Sequence, residues 1–167
     1  TTERSLPPAT ALLDGRFLLV AGVDRLNAPQ ASAEIWDPVA GTFSAVSSMT
    51  TQRVFHSASL LPDGRVMVSG GITDMNAPST PIDPVYSITR SVEIYDPASG
   101  SWAAGSQLRR PRAGHFAIAR ADGKVLLCGG VSWTTIIIRI PTLESTTDLF
   151  DPNGNTISAG PQLRQSR

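Results

Sequence analysis

The chain has 167 residues with 14 basic and 14 acidic side chains, so its formal net charge is zero. A chain of this length is one ordinary domain with room for a sizeable core. It has no strongly basic arm or face, which argues against a nucleic-acid binder. Its longest apolar run, TTIIIRI, is far shorter than the roughly 20 residues that cross a bilayer. With 14 glycines and 13 prolines and no helical periodicity, the composition favours short strands joined by turns.

The first predicted element is a hairpin that occurs three times. LLDGRFLLVAG (12–22), LLPDGRVMVSGG (60–71) and RADGKVLLCGG (120–130) each place an Asp-Gly pair before an apolar run that ends in glycine. Asp-Gly favours a two-residue turn in which both central residues take positive φ. The closing glycines indicate a place where the backbone bends or another segment approaches closely.

The second predicted element is a strand, a turn and a strand around an aromatic-Asp-Pro triplet. The triplets begin at Trp36, Tyr95 and Phe150. In VEIYDPASGSW the aspartate caps its own backbone, the proline presets φ, and Gly100 accepts the left-handed position. DPNGNTI shifts its glycine by one residue, so its turn is predicted to differ in detail. Each unit is thus predicted to be four short strands in a small antiparallel sheet.

Two charged positions recur in the same register. An arginine stands ten residues before each Asp-Gly aspartate, and an acid stands two residues before each aromatic of the triplets. The arginines are Arg4, Arg53 and Arg112, and the acids are Glu34, Glu93 and Asp148. A buried or half-buried ion pair is the favoured interpretation, and ligand contacts in a channel are the alternative. The register gives repeats at about 4–52, 53–111 and 112–167 within a single domain, 1–167.

These motifs resemble the kelch repeat. The likeness rests on RVFHS and RAGHF, the Asp-Gly hairpin, the double glycine, VEIYDP and the following Trp102. It is strongest to the bacterial kelch repeats of the galactose-oxidase-like propeller group. The resemblance implies an all-β fold in which each repeat is a four-stranded antiparallel blade, so that three blades form half of a β-propeller of six blades. The chain departs from the pattern at Pro7, which replaces a histidine, and at Ala21, which replaces the first glycine of the pair.

An arc of three blades would leave two apolar end faces uncovered. At roughly 500 Å² per face and about 25 cal/mol/Å², on the order of 10 kcal/mol of burial would be lost on each. We therefore expect cover from a second copy that completes the ring, or from the rest of a longer chain. The sequence begins at Thr1 without methionine, and both arrangements remain open.

The search for catalytic chemistry assigns no catalytic residue, cofactor or metal ligand. His56 and His115 share one repeat position and are predicted to form structural hydrogen bonds. Relatives of galactose oxidase hold copper with tyrosine and histidine, but Tyr86 and Tyr95 do not match that constellation. The protein is therefore predicted not to be an enzyme.

Two further features are given structural interpretations. Cys128, the only cysteine, is predicted to be a buried core residue. DPNGNT (151–156) begins like a calcium loop, but its sixth position is Thr156 and not glycine. We therefore interpret that segment as the turn of the repeat.

The copies differ most in the segments that follow the glycine pair. Loops on a rigid scaffold commonly carry binding, so we predict protein contacts in 72–91 and 131–146. The predicted partner-binding residues are Tyr86, Arg90, Trp133, Ile137 and Arg139. Because the run from Trp133 through the three isoleucines is too apolar for a free loop, it either folds back as an extra strand pair or meets a partner.

The sequence therefore predicts a non-catalytic protein-binding or scaffold module, completed by self-association. The alternative function is a small-molecule or carbohydrate-binding, or oxidase-like, site at the central channel. A cluster of polar residues at the channel mouth would favour that alternative.

Overall fold

The computed structural model describes residues 4, 5, 7–75, 87–135 and 139–164, and for 133–135 and 139–142 it describes the backbone alone. Within this part of the chain every regular element is a β-strand. The strands form three four-stranded antiparallel sheets and two antiparallel ribbons of two strands. The predicted unit of four short antiparallel strands is confirmed, and the sheets fit a propeller-like fold.

The sheets follow one another along the chain, and each ribbon lies between the second and third strands of a sheet. Sheet 1 contains β1 (Ala9–Ala11), β2 (Phe17–Val20), β3 (Ala33–Asp37) and β4 (Thr42–Val46). Sheet 2 contains β5 (Ser57–Leu60), β6 (Val66–Ser69), β9 (Val92–Asp96) and β10 (Ser101–Gly105). Sheet 3 contains β11 (Phe116–Ala119), β12 (Val125–Cys128), β15 (Thr147–Asp151) and β16 (Thr156–Ala159). Ribbon 1 contains β7 (Ile72–Asp74) and β8 (Ser87–Ile88), and ribbon 2 contains β13 (Val131–Thr135) and β14 (Arg139–Leu143).

The Asp-Gly hairpins use a different turn from the predicted one. In the first of them only Gly15 takes positive φ, at 85°. The Gly15 N–H donates to the Leu12 carbonyl at 3.2 Å, and the Leu12 N–H donates to the Arg16 carbonyl at 2.8 Å. Asp14 stays right-handed because its carboxylate accepts the Arg16 N–H at 3.0 Å. The result is a three-residue loop with the glycine as its left-handed closing residue.

The turn of DPNGNTI keeps the backbone of the other copies, although the sequence predicted a different one. Gly41 and Gly100 close the first two turns at φ 66° and 65°, and Asn155 closes the third at φ 46°. Asparagine tolerates the left-handed region better than most residues. The shifted Gly154 is therefore not the residue that the turn requires.

Two apolar seams hold the three sheets together. In seam 1–2, Leu18, Val20 and Ile35 of sheet 1 pack against Val66, Val68 and Tyr95 of sheet 2. In seam 2–3, Met67 and Ile94 on the other face of sheet 2 pack against Val125, Leu127 and Phe150 of sheet 3. Sheet 2 is therefore covered on both faces, and its strand β6 is buried at all four positions.

Within the described ranges, each outer sheet is covered by a neighbouring sheet on one face only. In β2 of sheet 1, Leu18 and Val20 are buried while Phe17 and Leu19 are half-buried. In β12 of sheet 3, Val125 and Leu127 are buried while the alternate residues are half-buried. Successive side chains of a strand point to opposite faces, so this alternation identifies one uncovered apolar face on sheet 1 and another on sheet 3.

The first strands of the three sheets lie side by side, because β5 contacts both β1 and β11. In each sheet the Asp-Gly and Asp-Pro turns lie at one end, here called the turn end. The segments that carry the ribbons lie at the other, here called the insert end, because alternate connections of an antiparallel sheet lie at opposite ends.

Candidate functional site

The most elaborate polar site in each unit is a clamp built from one arginine and one carboxylate. The arginine lies just before the first strand and the carboxylate lies on the third. The ion pairs are Arg4–Glu34 at 3.2 Å, Arg53–Glu93 at 2.8 Å and Arg112–Asp148 at 3.4 Å. The predicted buried ion pair is present in all three units.

The arginine of the clamp also binds backbone carbonyls. In sheet 2, Nη1 of Arg53 donates to the Gly70 carbonyl at 2.9 Å and to the Ser91 carbonyl at 3.1 Å. The side chain of Arg53 is fully buried. Arg112 repeats the arrangement with the carbonyls of Gly129 and Thr146. A guanidinium with several fixed donors suits this position, because it can satisfy several buried acceptors at once.

The carboxylate of the clamp joins neighbouring sheets. One oxygen of Glu93 accepts the N–H of Thr50 at 2.7 Å and its hydroxyl at 2.9 Å. The other oxygen accepts the Thr51 N–H at 3.1 Å in addition to the arginine. Thr50 and Thr51 follow sheet 1 in the chain, so the clamp of sheet 2 holds the segment that connects the two sheets.

The clamps of sheets 2 and 3 differ in how well the carboxylate is stabilised. Burial alone would raise the pKa of Glu93, but the hydrogen bonds from Thr50 and the Arg53 charge outweigh it and lower the pKa. At Asp148 burial prevails and raises the pKa above its ordinary value. Among the described residues, Asp148 receives one backbone N–H, from Arg109 at 3.3 Å, and its arginine is farther away than that of Glu93. The Glu93 clamp is therefore the stronger of the two.

The two histidines lie in the seams. His115 is buried, and its Nε2 forms a hydrogen bond with the Ser69 hydroxyl at 3.0 Å, from sheet 3 to sheet 2. His56 holds the equivalent position in seam 1–2, where sheet 1 has Val20 in place of the serine. Neither ring nitrogen of His56 has a partner among the described residues. Burial, together with the nearby arginines, lowers the pKa of each histidine to about 3. Both imidazoles are therefore neutral at physiological pH.

The structure describes the residues predicted to bind a partner in part. Arg90 is exposed just after ribbon 1. Trp133 and Arg139 lie on β13 and β14 of ribbon 2, where the backbone alone is described, and Tyr86 and Ile137 lie outside the described residues. Of the two interpretations of this apolar insert, the backbone adopts the extra strand pair, with Trp133 opposite Pro141 and Thr135 opposite Arg139.

A buried carboxylate at the insert end was not predicted from the sequence. Glu144 is 4% exposed, accepts a short hydrogen bond from the Ser132 hydroxyl and accepts another from Thr146 at 2.7 Å. These donors, with the charges of Arg110 and Arg112, outweigh burial and lower its pKa. Thr89 occupies the equivalent position of the second unit, so the repeat register gave no signal for an acid here.

Two further predicted features are placed by the structure. Cys128 is half-buried and not fully buried as predicted, because it lies on the uncovered face of sheet 3. Asp151 acts as a turn cap, as interpreted: it accepts the Asn153 N–H at 3.1 Å and pairs with Lys124 at 3.1 Å. In the described ranges no three His, Cys, Asp or Glu side chains are grouped to hold a metal ion. None of the described segments is a helix long and apolar enough to span a membrane.

The fold and its repeated clamp define an all-β protein of stacked four-stranded sheets. No protein-family model matches the chain, and no curated protein matches its sequence. Among solved structures, the structure of YjhT is similar, with a TM-score of 0.72 and 16% sequence identity. The match covers 98% of this chain and 53% of the YjhT chain, so this chain spans about half the length of that neighbour. At this identity the likeness shows the fold alone.

Proposed function

We propose that this chain is a kelch-type, three-bladed half of a β-propeller that serves as a protein-binding or scaffold module and is completed to a ring by a second copy. The kelch assignment is supported by the agreement between the repeat register and the three sheets. Each hairpin, each Asp-Pro turn and each arginine clamp recurs at the equivalent place of its sheet.

The main support for completion of the ring by a second copy is the difference in burial between equivalent positions of the sheets. Val66 of sheet 2 is fully buried in seam 1–2, whereas its counterpart Phe17 on sheet 1 is only half-buried. Met67 of sheet 2 is fully buried in seam 2–3, whereas its counterpart Leu126 on sheet 3 is half-buried. Two apolar faces that are built like the faces of a seam thus lack a neighbour in the part of the chain that the structure describes.

Molar mass in solution tests completion directly. Light scattering coupled to size exclusion is expected to give twice the 17.7 kDa of one chain. A single-chain mass at every protein concentration would contradict completion by a second copy. The YjhT match supports the proposal in one respect only, since that chain has about twice the length of this one.

The scaffold role would use the insert end. Ribbons 1 and 2 extend the second and third units there, and Arg90 is exposed beside ribbon 1. Trp133→Ala is expected to reduce capture of a protein from a lysate of the source organism while leaving the circular dichroism spectrum unchanged. Asp63→Asn, at the turn end, is the matched control and is expected to capture that protein at the wild-type level. Equal capture by both variants would contradict a role of the insert end.

A further inference from the structure

The covered seam 2–3 contains a polar triplet. The Ser57 hydroxyl donates a short hydrogen bond to the His115 carbonyl, and the Ser69 hydroxyl contacts His115 Nε2 at 3.0 Å. All three residues are less than 9% exposed. A buried hydroxyl or imidazole requires a partner, and in this seam the polar residues of the two sheets partner one another. Seam 1–2 differs, because Val20 lies opposite His56 there and neither ring nitrogen of His56 has a partner among the described residues.

The equivalent positions on the two uncovered faces are apolar. In the third unit Phe116 stands where the second has Ser57, and Cys128 stands where it has Ser69. In the first unit Pro7 stands where the third has His115. Phe116 is 72% exposed, whereas Ser57 is 8% exposed. The two uncovered faces are thus both apolar at positions where the covered seam 2–3 is polar. Apolar residues at matching positions are expected if these two faces meet and exclude water.

The remaining residues of the two faces also match a seam. On sheet 1, the rings of Phe17 and Trp36 lie 5.4 Å apart and those of Trp36 and Phe43 lie 6.3 Å apart. These rings form an aromatic strip in the position that Val66, Tyr95 and Trp102 occupy in seam 1–2. On sheet 3, Ile118 is 49% exposed next to Phe116. The strip on sheet 1 thus presents large aromatic side chains, and the face of sheet 3 presents branched aliphatic side chains such as Ile118.

We propose that the uncovered face of sheet 3 binds the uncovered face of sheet 1 of a second copy, with Phe116 of each chain packed against Pro7 of the other. This inference rests on the proposed completion by a second copy and adds its orientation. The contact is head to tail and joins different surfaces. Because each chain spans half of the ring, two copies close with two identical seams and no free face remains.

Phe116→Asp tests the sheet 3 side, and Phe43→Asp tests the sheet 1 side, where Phe43 is 47% exposed. Each variant damages both seams of its own dimer, so each is expected to run at the mass of a single chain. Val39→Asp is the control, because Val39 is 97% exposed at the turn end and its variant is expected to keep the wild-type mass. Phe116→Ser installs the residue type of the second unit and is expected to weaken association at least tenfold without adding a charge.

Mixing the two aspartate variants distinguishes head-to-tail from face-to-face association. A mixed pair has one undamaged seam, formed by sheet 3 of the Phe43→Asp chain and sheet 1 of the Phe116→Asp chain. We therefore expect mixing to restore the doubled mass, and circular dichroism to show both variants folded beforehand. A face-to-face dimer through sheet 3 would survive Phe43→Asp unchanged, which would overturn the proposal.

Two other outcomes separate this inference from the proposed function. If the wild-type chain has the doubled mass and Phe116→Asp and Phe116→Ser leave it unchanged, the seam is wrong and self-association stands. If the wild-type chain is monomeric at every concentration, both are wrong. The face of sheet 3 then belongs to a further segment of the same polypeptide or to an unrelated protein.

Discussion

Removing the charge of Glu93 is expected to destabilise the protein strongly. Glu93→Gln leaves the guanidinium of Arg53 fully buried without a countercharge. The carboxylate of Glu93 accepts four hydrogen bonds. The substitution replaces one of its oxygens by an amide NH2 group, which can only donate. Breaking a buried ion pair from one side costs about 3–5 kcal/mol. A domain of this size has a total free energy of unfolding of about 5–15 kcal/mol, so the loss is a large fraction of it.

Urea unfolding followed by tryptophan fluorescence measures this loss, at one fixed protein concentration. Asp63→Asn is the matched control, because Asp63 forms an equally short pair with Arg65 at 2.7 Å but on a half-exposed surface. An exposed pair contributes about 0–1 kcal/mol. Equal losses in the two variants would refute the view that the clamp acts as a buried charge pair. The double variant Arg53→Met/Glu93→Leu removes the unpaired charge, but it is not expected to restore wild-type stability, because the backbone groups that Arg53 and Glu93 bind lose their partners.

The pH dependence adds a second test of the same clamp. The pKa of Glu93 is lower in the folded protein than its ordinary value of 4.5. Its stabilising contribution is therefore complete above pH 4.5 and is lost as the pH falls through the folded pKa. The difference between wild type and Glu93→Gln should shrink in that range. Asp148→Asn is expected to cost less than Glu93→Gln, because the pKa of Asp148 is raised and its protonated form is already favoured by folding.

Three further predictions concern the seams and turns. The two buried histidines have a pKa of about 3 in the folded protein and 6.5 unfolded. Acidification from pH 7 to pH 5 is therefore expected to lower the free energy of unfolding by about 2 kcal/mol per histidine, and replacing both by glutamine should remove this slope in urea titrations. Gly71→Val is expected to lower the free energy of unfolding by on the order of 4 kcal/mol, because at φ +101° its Cβ would lie 2.8 Å from a backbone carbonyl oxygen. The control Gly41→Val meets no neighbour and is expected to lose only about 1–2 kcal/mol from backbone strain. Equal thermal melting temperatures of the two variants would contradict this expectation. Asn155→Ala loses the hydrogen bond that the Ser106 N–H donates to the Asn155 side chain at 2.9 Å, and its free energy of unfolding should fall by about 1–2 kcal/mol. In the same melting assay Asn155→Gly should avoid the backbone strain of the alanine variant but still lack the hydrogen bond.

The sequence was sufficient to predict the strands of each sheet, because hairpins, caps and apolar runs are local signals. It was also sufficient to predict the ion pairs, since Arg53 and Glu93 recur in a fixed register. It did not predict the turn type, because the Asp14 carboxylate binds the backbone two residues later and holds aspartate right-handed. Phe55 is a similar case. It takes φ 54° where the next unit has Gly114, and no local pattern indicates a left-handed phenylalanine.

The burial of individual residues at the sheet faces escaped prediction for a different physical reason. Repeat register compares residues that occupy the same place in their own sheets, whereas burial is decided by the neighbouring sheet. Cys128 fits a core position of its strand, and it is half-buried because no described segment covers that face.

The glycine pair shows how the neighbouring sheet acts on a single position. Gly70 and Gly71 let the Arg112 carbonyl approach, so that the Gly71 N–H donates to it at 2.8 Å. In the first unit Ala21 replaces the first glycine, and the equivalent bond from Gly22 to the Arg53 carbonyl is 3.2 Å long. A Cβ at Gly70 would lie 2.4 Å from that carbonyl oxygen, so the methyl group of Ala21 accounts for the longer bond. The residue type at a repeat position is therefore related to how closely the next sheet approaches. On the same reasoning, the proposed seam with a second copy would account for the apolar Phe116 and Pro7.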